Sequence, residues 1–257
     1  MRTVQSGPLV GLIVQIVMLA SLAGTVGLGA AGWLVGVAYG VAICVLLSRG
    51  LRRSGATRMG PADRVTLTRA TLIGGVAALT ADSFVRPVPV GLLVTLTVVA
   101  LLLDAVDGRV ARRTGTTSEL GARFDMEVDA FLLLALSVYL TPVTGAWALA
   151  IGGMRYAFVV AIWVLPWMRG TLPPRYWRKV VAAIQGVTLV SATADLLPRP
   201  LMAVGLGIAL AFLVESFGRD IWWLWRHRPV RPGAVRTLAS PPRPADAARR
   251  PTTRYAR

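Results

Sequence analysis

The sequence predicts an all-α integral membrane protein, and three observations carry that prediction. Hydrophobic residues make up 55% of the 257-residue chain, and mean hydropathy is +0.62. Charged residues amount to 16%, below the quarter typical of soluble domains. The apolar residues also gather into eight stretches, each near the length of about 20 residues that a helix needs to cross a bilayer.

The stretches run over 9–28, 31–48, 65–83, 90–106, 121–140, 147–167, 181–197 and 201–225. Residues 9–48 form one long apolar run, and Gly27, Gly29 and Gly32 are read as the punctuation of a hairpin within it. Only Arg2 precedes the run, which does not stop where a leader would be cleaved, so the first stretch is expected to stay in the protein. The organisation predicted is a two-span hairpin over 1–48, a basic juxtamembrane segment over 49–64, a six-span core over 65–225 and a tail over 226–257. The tail is rich in Pro and Arg and too poor in apolar groups to bury a core, so disorder is expected there. Its interleaved prolines and scarce aromatics argue against a folded nucleic-acid module, and membrane lipid is the expected contact instead.

The net charge of +16 comes almost wholly from arginine, since Lys179 is the single lysine. Arg49, Arg52, Arg53, Arg58 and Arg64 crowd one loop, Arg109, Arg112, Arg113 and Arg123 the next, and Arg169, Arg175, Arg178 and Lys179 a third. The loops of the other side offer Arg86 and Arg199. The positive-inside rule places the three basic loops in the cytoplasm, and eight spans then place both termini there. The expected location is a cell membrane, the bacterial cytoplasmic one, crossed many times. Cys44 is the sole cysteine and excludes an intramolecular disulfide; His227 is the sole histidine and excludes a histidine-cluster metal site.

Six of the twelve acids, Asp104, Asp107, Glu119, Asp125, Glu127 and Asp129, fall within residues 104–129, at one mouth of the apolar runs. Charge near hydrocarbon is costly and marks candidate sites. Asp104, Asp107, Gly108 and Ala111 follow i, i+3, i+4, i+7 spacing and share a helix face. Gly121, Asp125 and Asp129 follow i, i+4, i+8 on the next helix. A short connection makes the two helices antiparallel neighbours, with acidic stripes facing across a cleft. Thr116 and Glu119 form a weak capping pattern for the second helix. Facing carboxylates cannot all stay ionised without a counter-charge, so either some protonate or a cation lies between them. Oxygen ligands without Cys or available His select Mg²⁺, Mn²⁺ or Ca²⁺ over zinc or copper. Small Gly108, Ala111 and Gly121 admit a bulky group, and Arg112 offers a fork suited to phosphate. The residues together suit a polyphosphate.

Asp104, Asp107, Gly108, Ala111, Arg112, Gly121, Asp125 and Asp129 fill the pattern D-x2-D-G-x2-A-R-x8-G-x3-D-x3-D without a gap. The stretch resembles the signature of the CDP-alcohol phosphotransferase, or phosphatidyltransferase, family. The resemblance extends more weakly over about residues 60–225. It implies a core of six transmembrane helices, here the last six spans with two extra N-terminal ones, and a homodimer. It implies that a CDP-linked lipid and an alcohol acceptor react with loss of CMP. Asp104, Asp107 and Asp125 would bind two ions, Mg²⁺ or Mn²⁺, with Asp129 sharing one and acting as general base. Gly108 and Ala111 would lie against the nucleotide and Arg112 would hold phosphate. The segment "GPADRVTLTR" is similar to the family's P-N-x-x-T-L-x-R pattern through Asp63, Thr66 and Arg69. Asp63 replaces an asparagine and cannot donate as an amide does, while Thr66 suits a cytidine-side contact. Thr66 and Arg69 also fit a helix start with a snorkelling arginine.

Arg155 sits well inside an apolar span, and Arg178 and Lys179 open the next one. All three are candidates for gripping a phosphate on the acceptor, such as glycerol 3-phosphate or an inositol phosphate; positive-inside topology accounts equally for Arg178 and Lys179. Membrane placement favours CDP-diacylglycerol as donor. The alternatives are a cardiolipin-type synthase, a soluble CDP-alcohol donor or, outside the class, a divalent-cation transporter. Transport prefers acids near mid-membrane, and here they gather at one mouth.

Overall fold

A computed structural model describes residues 6–54, 61–114, 119–170, 172–173 and 175–228, with the helical path alone at Ser6, 53–54, 61–64, 107–114 and 119–120. The described chain is all helical. Its elements are α1 (Ser6–Val26), α2 (Ala30–Ser54), α3 (Pro61–Asp82), α4 (Val90–Thr114), α5 (Glu119–Thr144), α6 (Leu149–Val164), α7 (Tyr176–Thr193) and α8 (Arg199–Arg226). Short 3₁₀ turns over Ala146–Ala148 and Pro166–Arg169 flank α6.

Each predicted span coincides with a helix, but the helices differ in polarity. Gly7–Val26, Ala30–Arg52, Gly121–Thr144, Ala146–Val164 and Arg199–Arg226 are long and apolar enough to cross a membrane, and Val90–Val106 is a shorter apolar stretch. α3 and α7 are not among them, and α3 is the helix most enclosed by protein. On α3, Ala70, Ile73, Val76, Ala78 and Leu79 are all buried, and this helix packs against α1, α2, α4 and α5. α7 packs against α4, α5 and α8, and its fully buried Gln185 donates from Nε2 to the Ala209 carbonyl at 2.7 Å.

The hairpin turn falls at residues 27–29, where Gly27 takes φ +73, a conformation that a side chain would strain. Gly32 is not part of the turn, as its place in the apolar run suggested. It lies inside α2, where a Cβ would stand 2.9 Å from the Ala78 carbonyl oxygen, so its role is close helix packing. The hairpin is tied to α3 by a cap from outside it. Asp82 Oδ2 accepts from the Gly29 amide at 2.7 Å, and Oδ1 accepts from the Gly32 amide at 2.8 Å. These amides open α2 and would otherwise lack partners. Arg86 adds Nε and Nη2 donors to the same carboxylate at 3.0 and 2.5 Å.

The boundaries also differ from those expected. α2 continues to Ser54, so the basic segment begins as helix, and α4 continues to Thr114, well past its apolar stretch. Thr116 lies outside the described residues, as does the tail beyond Arg228. At the α5–α6 contact, Gly152 donates to Ser137 Oγ at 3.1 Å, and any Cβ there would collide with the Leu134 backbone.

Candidate active site

Three helices meet at the acidic cluster. α4 carries Asp104, α5 carries Asp125 and Asp129 one turn apart, and α3 carries Arg69. Arg69 follows Thr66 by three residues, so both lie on one face of α3, and both are buried, Arg69 at 1% exposure. The Arg69 guanidinium joins the three acids. Its Nη1 stands 3.0 Å from Asp104 Oδ1 and also donates to Asp125 Oδ1, while Nη2 donates to Asp129 Oδ1. The two acidic stripes thus come together through an arginine of a third helix that packs against both α4 and α5. The snorkelling alternative for Arg69 is corrected here: its head is turned inward and held by carboxylates.

The acids are less buried than the arginine. Asp104, Asp125 and Asp129 side chains are 41%, 32% and 40% exposed, so the cluster is open to a ligand from one side and closed by Arg69 on the other. One carboxylate oxygen from each of the three lies within 4.8 Å of the others. Among the described groups, three carboxylates outnumber the one guanidinium that joins them. That excess, presented by oxygen donors alone, fits a hard divalent cation and does not fit a thiolate- or imidazole-seeking one.

The other expected site residues fall into three groups. Asp107, Gly108, Ala111 and Arg112 share α4 with Asp104, and Asp63 lies on the first turn of α3, but the side chains of these five lie outside the described residues. Gly121 is half-buried one turn before Asp125, and Thr66 is buried one turn before Arg69. The acceptor candidates stand apart. Arg155 on α6 donates from Nη2 to Glu127 Oε1 at 2.5 Å, on the side of α5 turned away from Asp125 and Asp129 by about 160°. Arg178 on α7 donates from Nη2 to Asp220 Oδ1 of α8 at 2.8 Å, and Lys179 is exposed. The Nε–H groups of Arg155 and Arg178 are buried without a partner among the described residues.

Reading the sequence alone left Arg69 out of the metal and base assignments. Its position in "TLTR" was visible, but charge near a helix start looks the same whether it snorkels or turns inward. Glu127 was counted with the acid cluster, and the fold gives it a different partner in Arg155.

Residues 59–214 match the CDP-alcohol phosphatidyltransferase family. The chain belongs to that family. The matched range holds α3, the whole Asp cluster, Arg69, Arg155, Arg178 and Lys179, and it excludes α1 and α2. A curated relative, the archaetidylinositol phosphate synthase of Aeropyrum pernix, is 44% identical over 73 residues, which is 28% of this chain and 36% of the relative. The match thus spans about a third of that relative's length. No solved structure matches the chain. Family membership and five helices long and apolar enough to cross a bilayer support a multi-pass membrane protein.

Proposed function

We propose that this family member transfers a phosphatidyl group from CDP-diacylglycerol to a phosphorylated polyol of the inositol phosphate type, releasing CMP. The observation that carries the reading is the convergence of Asp104, Asp125 and Asp129 on buried Arg69 inside the family-matched range. The inositol phosphate assignment is supported by the likeness to the archaetidylinositol phosphate synthase.

Asp129 takes the proton of the acceptor hydroxyl. The hydroxyl oxygen forms a bond to the phosphatidyl phosphorus, the bond from that phosphorus to the CMP oxygen breaks, and CMP leaves with the electron pair. Asp104, Asp107, Asp125 and Asp129 would hold Mg²⁺ or Mn²⁺, two ions by the family resemblance, and bound divalent charge polarises phosphorus and stabilises the leaving CMP. Arg69 spaces the carboxylates and keeps Asp129 oriented from below. Gly108, Ala111 and Gly121 leave room for the nucleotide, Arg112 meets phosphate, and Thr66 and Asp63 stand on the cytidine side. Arg155, Arg178 and Lys179 serve the acceptor phosphate. The site faces the cytoplasm, by the arginine bias of the loops, and the chain works as a homodimer, by the family resemblance.

The test supplies purified protein in lipid nanodiscs with CDP-diacylglycerol, Mg²⁺ and a panel of alcohols, and identifies the lipid product by mass. Mg²⁺-dependent binding of CDP-diacylglycerol and a phosphatidylinositol phosphate product are expected. Absence of any CDP-lipid binding sinks the enzyme reading, and turnover of another alcohol alone sinks the acceptor assignment.

A further inference from the structure

The last helix is longer than a bilayer requires. α8 has 28 residues, about 42 Å at the helical rise, against a hydrocarbon layer of about 30 Å. Arg199 at its start and Arg219 near its end stand 20 residues apart, about one bilayer crossing. Residues from Arg219 onward therefore lie at the depth of lipid headgroups. The first turn of α7 pins this end of α8: Trp177 Nε1 donates to Glu215 Oε2 at 2.9 Å, and Arg178 holds Asp220.

That end of α8 has two faces. Leu213, Ser216, Asp220 and Leu224 recur at helical spacing and are buried against the bundle. Arg219, Trp222 and Arg226 follow i, i+3, i+7 on another face, which Trp225 and Arg228 adjoin. Trp222 and Trp225 are 54% and 48% exposed, and the three arginines are exposed as well. Arg219 is paired with Glu215. Arg226 and Arg228 have no carboxylate partner among the described residues, and each guanidinium lies over a ring instead. Arg226 stands 4.5 Å from the Trp222 centroid, and Arg228 stands 5.1 Å from that of Trp225. A ring fixes the place of a cation without neutralising it. Both cations keep their charge, and their planar forks of donors, for an anion from outside the chain.

We propose that the end of α8 is a binding site for an acidic phospholipid: Arg226 and Arg228 take the headgroup phosphate, and Trp222 and Trp225 lie beside the glycerol backbone and upper acyl carbons. Indoles settle at that depth because the ring is largely apolar and its N–H is polar. The occupant is a lipid because the arginines share their face with two exposed rings, which a soluble anion would leave uncovered. Charge then selects among lipids. A zwitterionic headgroup brings its own cation toward the arginines, and an acidic one does not. Such a site is independent of the alcohol that the enzyme uses.

The test measures, by native mass spectrometry of the full chain in detergent, the Kd for phosphatidylglycerol and for phosphatidylcholine. Wild type should bind phosphatidylglycerol the more tightly; equal affinities overturn the proposal. Arg226→Gln and Arg228→Gln should each raise the Kd for phosphatidylglycerol about fivefold, the scale of one basic residue at a lipid surface, and leave that for phosphatidylcholine unmoved. Trp222→Leu keeps apolar area but removes the seat of Arg226, and should raise the same Kd about threefold. Arg199→Gln, at an exposed position at the other end of the helix, is the control and should change nothing. An unchanged Kd in a folded Arg226→Gln, Arg228→Gln double variant overturns the proposal. So does an equal loss from Arg199→Gln, which would reduce the site to a count of surface charge. Displacement of phosphatidylglycerol by inorganic phosphate overturns it as well, since the occupant would then be a soluble anion. Should the double variant fail to fold, salt decides on the wild type. Phosphatidylglycerol binding that weakens with ionic strength while phosphatidylcholine binding does not supports the site, and salt-independent binding overturns it.

Discussion

α3 carries a carboxylate–arginine assembly at each end, and the two are built on opposite principles. At its last residue, Asp82 is one acid with several donors: the Gly29 and Gly32 amides and the Arg86 guanidinium. The carboxylate is buried, and both of its oxygens are engaged. Nearer its first residues, Arg69 is one donor group facing three acids, and those acids are half-exposed. The first assembly is saturated and can take nothing more. The second gathers three half-exposed carboxylates on one guanidinium, an arrangement suited to receiving a cation or a proton. An acid in a membrane protein is therefore better judged by the balance of its partners than by its depth. Asp82 is the more deeply buried of the two kinds and the less suited to chemistry.

The sharpest test of that contrast is Asp129→Asn. It removes the proposed base while preserving shape, and turnover should fall by at least about a thousandfold, at the upper part of the range for a lost general base. Part of the CDP-diacylglycerol binding should survive, since Asp104, Asp107 and Asp125 remain, and the protein should stay folded. Full activity in this variant would break the functional half of the comparison. Asp82→Ala is the counterpart at the other end. It strands two helix-opening amides and the Arg86 guanidinium, and should cost about 2 kcal/mol of stability, read as a lower unfolding midpoint in detergent. At a temperature where the variant is folded, kcat should stay within about twofold of wild type. Loss of turnover without loss of stability would show that the saturated assembly is not merely structural. The smallest expected effect separates the peripheral cations. Arg155→Ala should raise the acceptor KM about tenfold, the loss of one charge-assisted hydrogen bond, with the CDP-lipid KM unmoved. Lys179→Ala, at an exposed position where a charge pair is screened, should raise the acceptor KM by only about twofold, and equal effects of the two variants would return Arg155 to a topological role.

The eight helices were legible because an apolar run of the right length has few other readings in a chain this hydrophobic. Asp104, Asp125 and Asp129 were legible as a group because helical spacing puts them on defined faces. What spacing could not supply was the third wall of the site. Arg69 lies 35 residues before Asp104 in the chain, and whether its head turns toward lipid headgroups or toward acids depends on how α3 is seated. Asp82 was passed over for the same reason: its partners, Gly29 and Gly32, come 50 or more residues earlier. Glu127 shows the reverse case. It was counted with its neighbours in sequence, yet α5 turns it away from them toward Arg155. The places where Gly32 and the ends of α2 and α4 departed from expectation were all helix continuations, where polarity ends before backbone hydrogen bonding does.

The slot that receives Gln15 has a consequence for how the molecule is made. The Gln15 amide lies against Gly74 of α3, where any Cβ would collide with it, and Gly40 of α2 leaves space for its stem. Synthesis proceeds from the N-terminus, so α1 and α2 enter the bilayer before α3 exists. During that interval the Gln15 amide is a polar group in hydrocarbon, held in a hairpin that still lacks its third wall. Small residues and polar groups are what bring membrane helices together, since lipid is as apolar as leucine. The hairpin therefore offers a slot that admits α3 only where α3 carries a glycine, and the seating of Gly74 there sets the height at which Arg69 meets its acids.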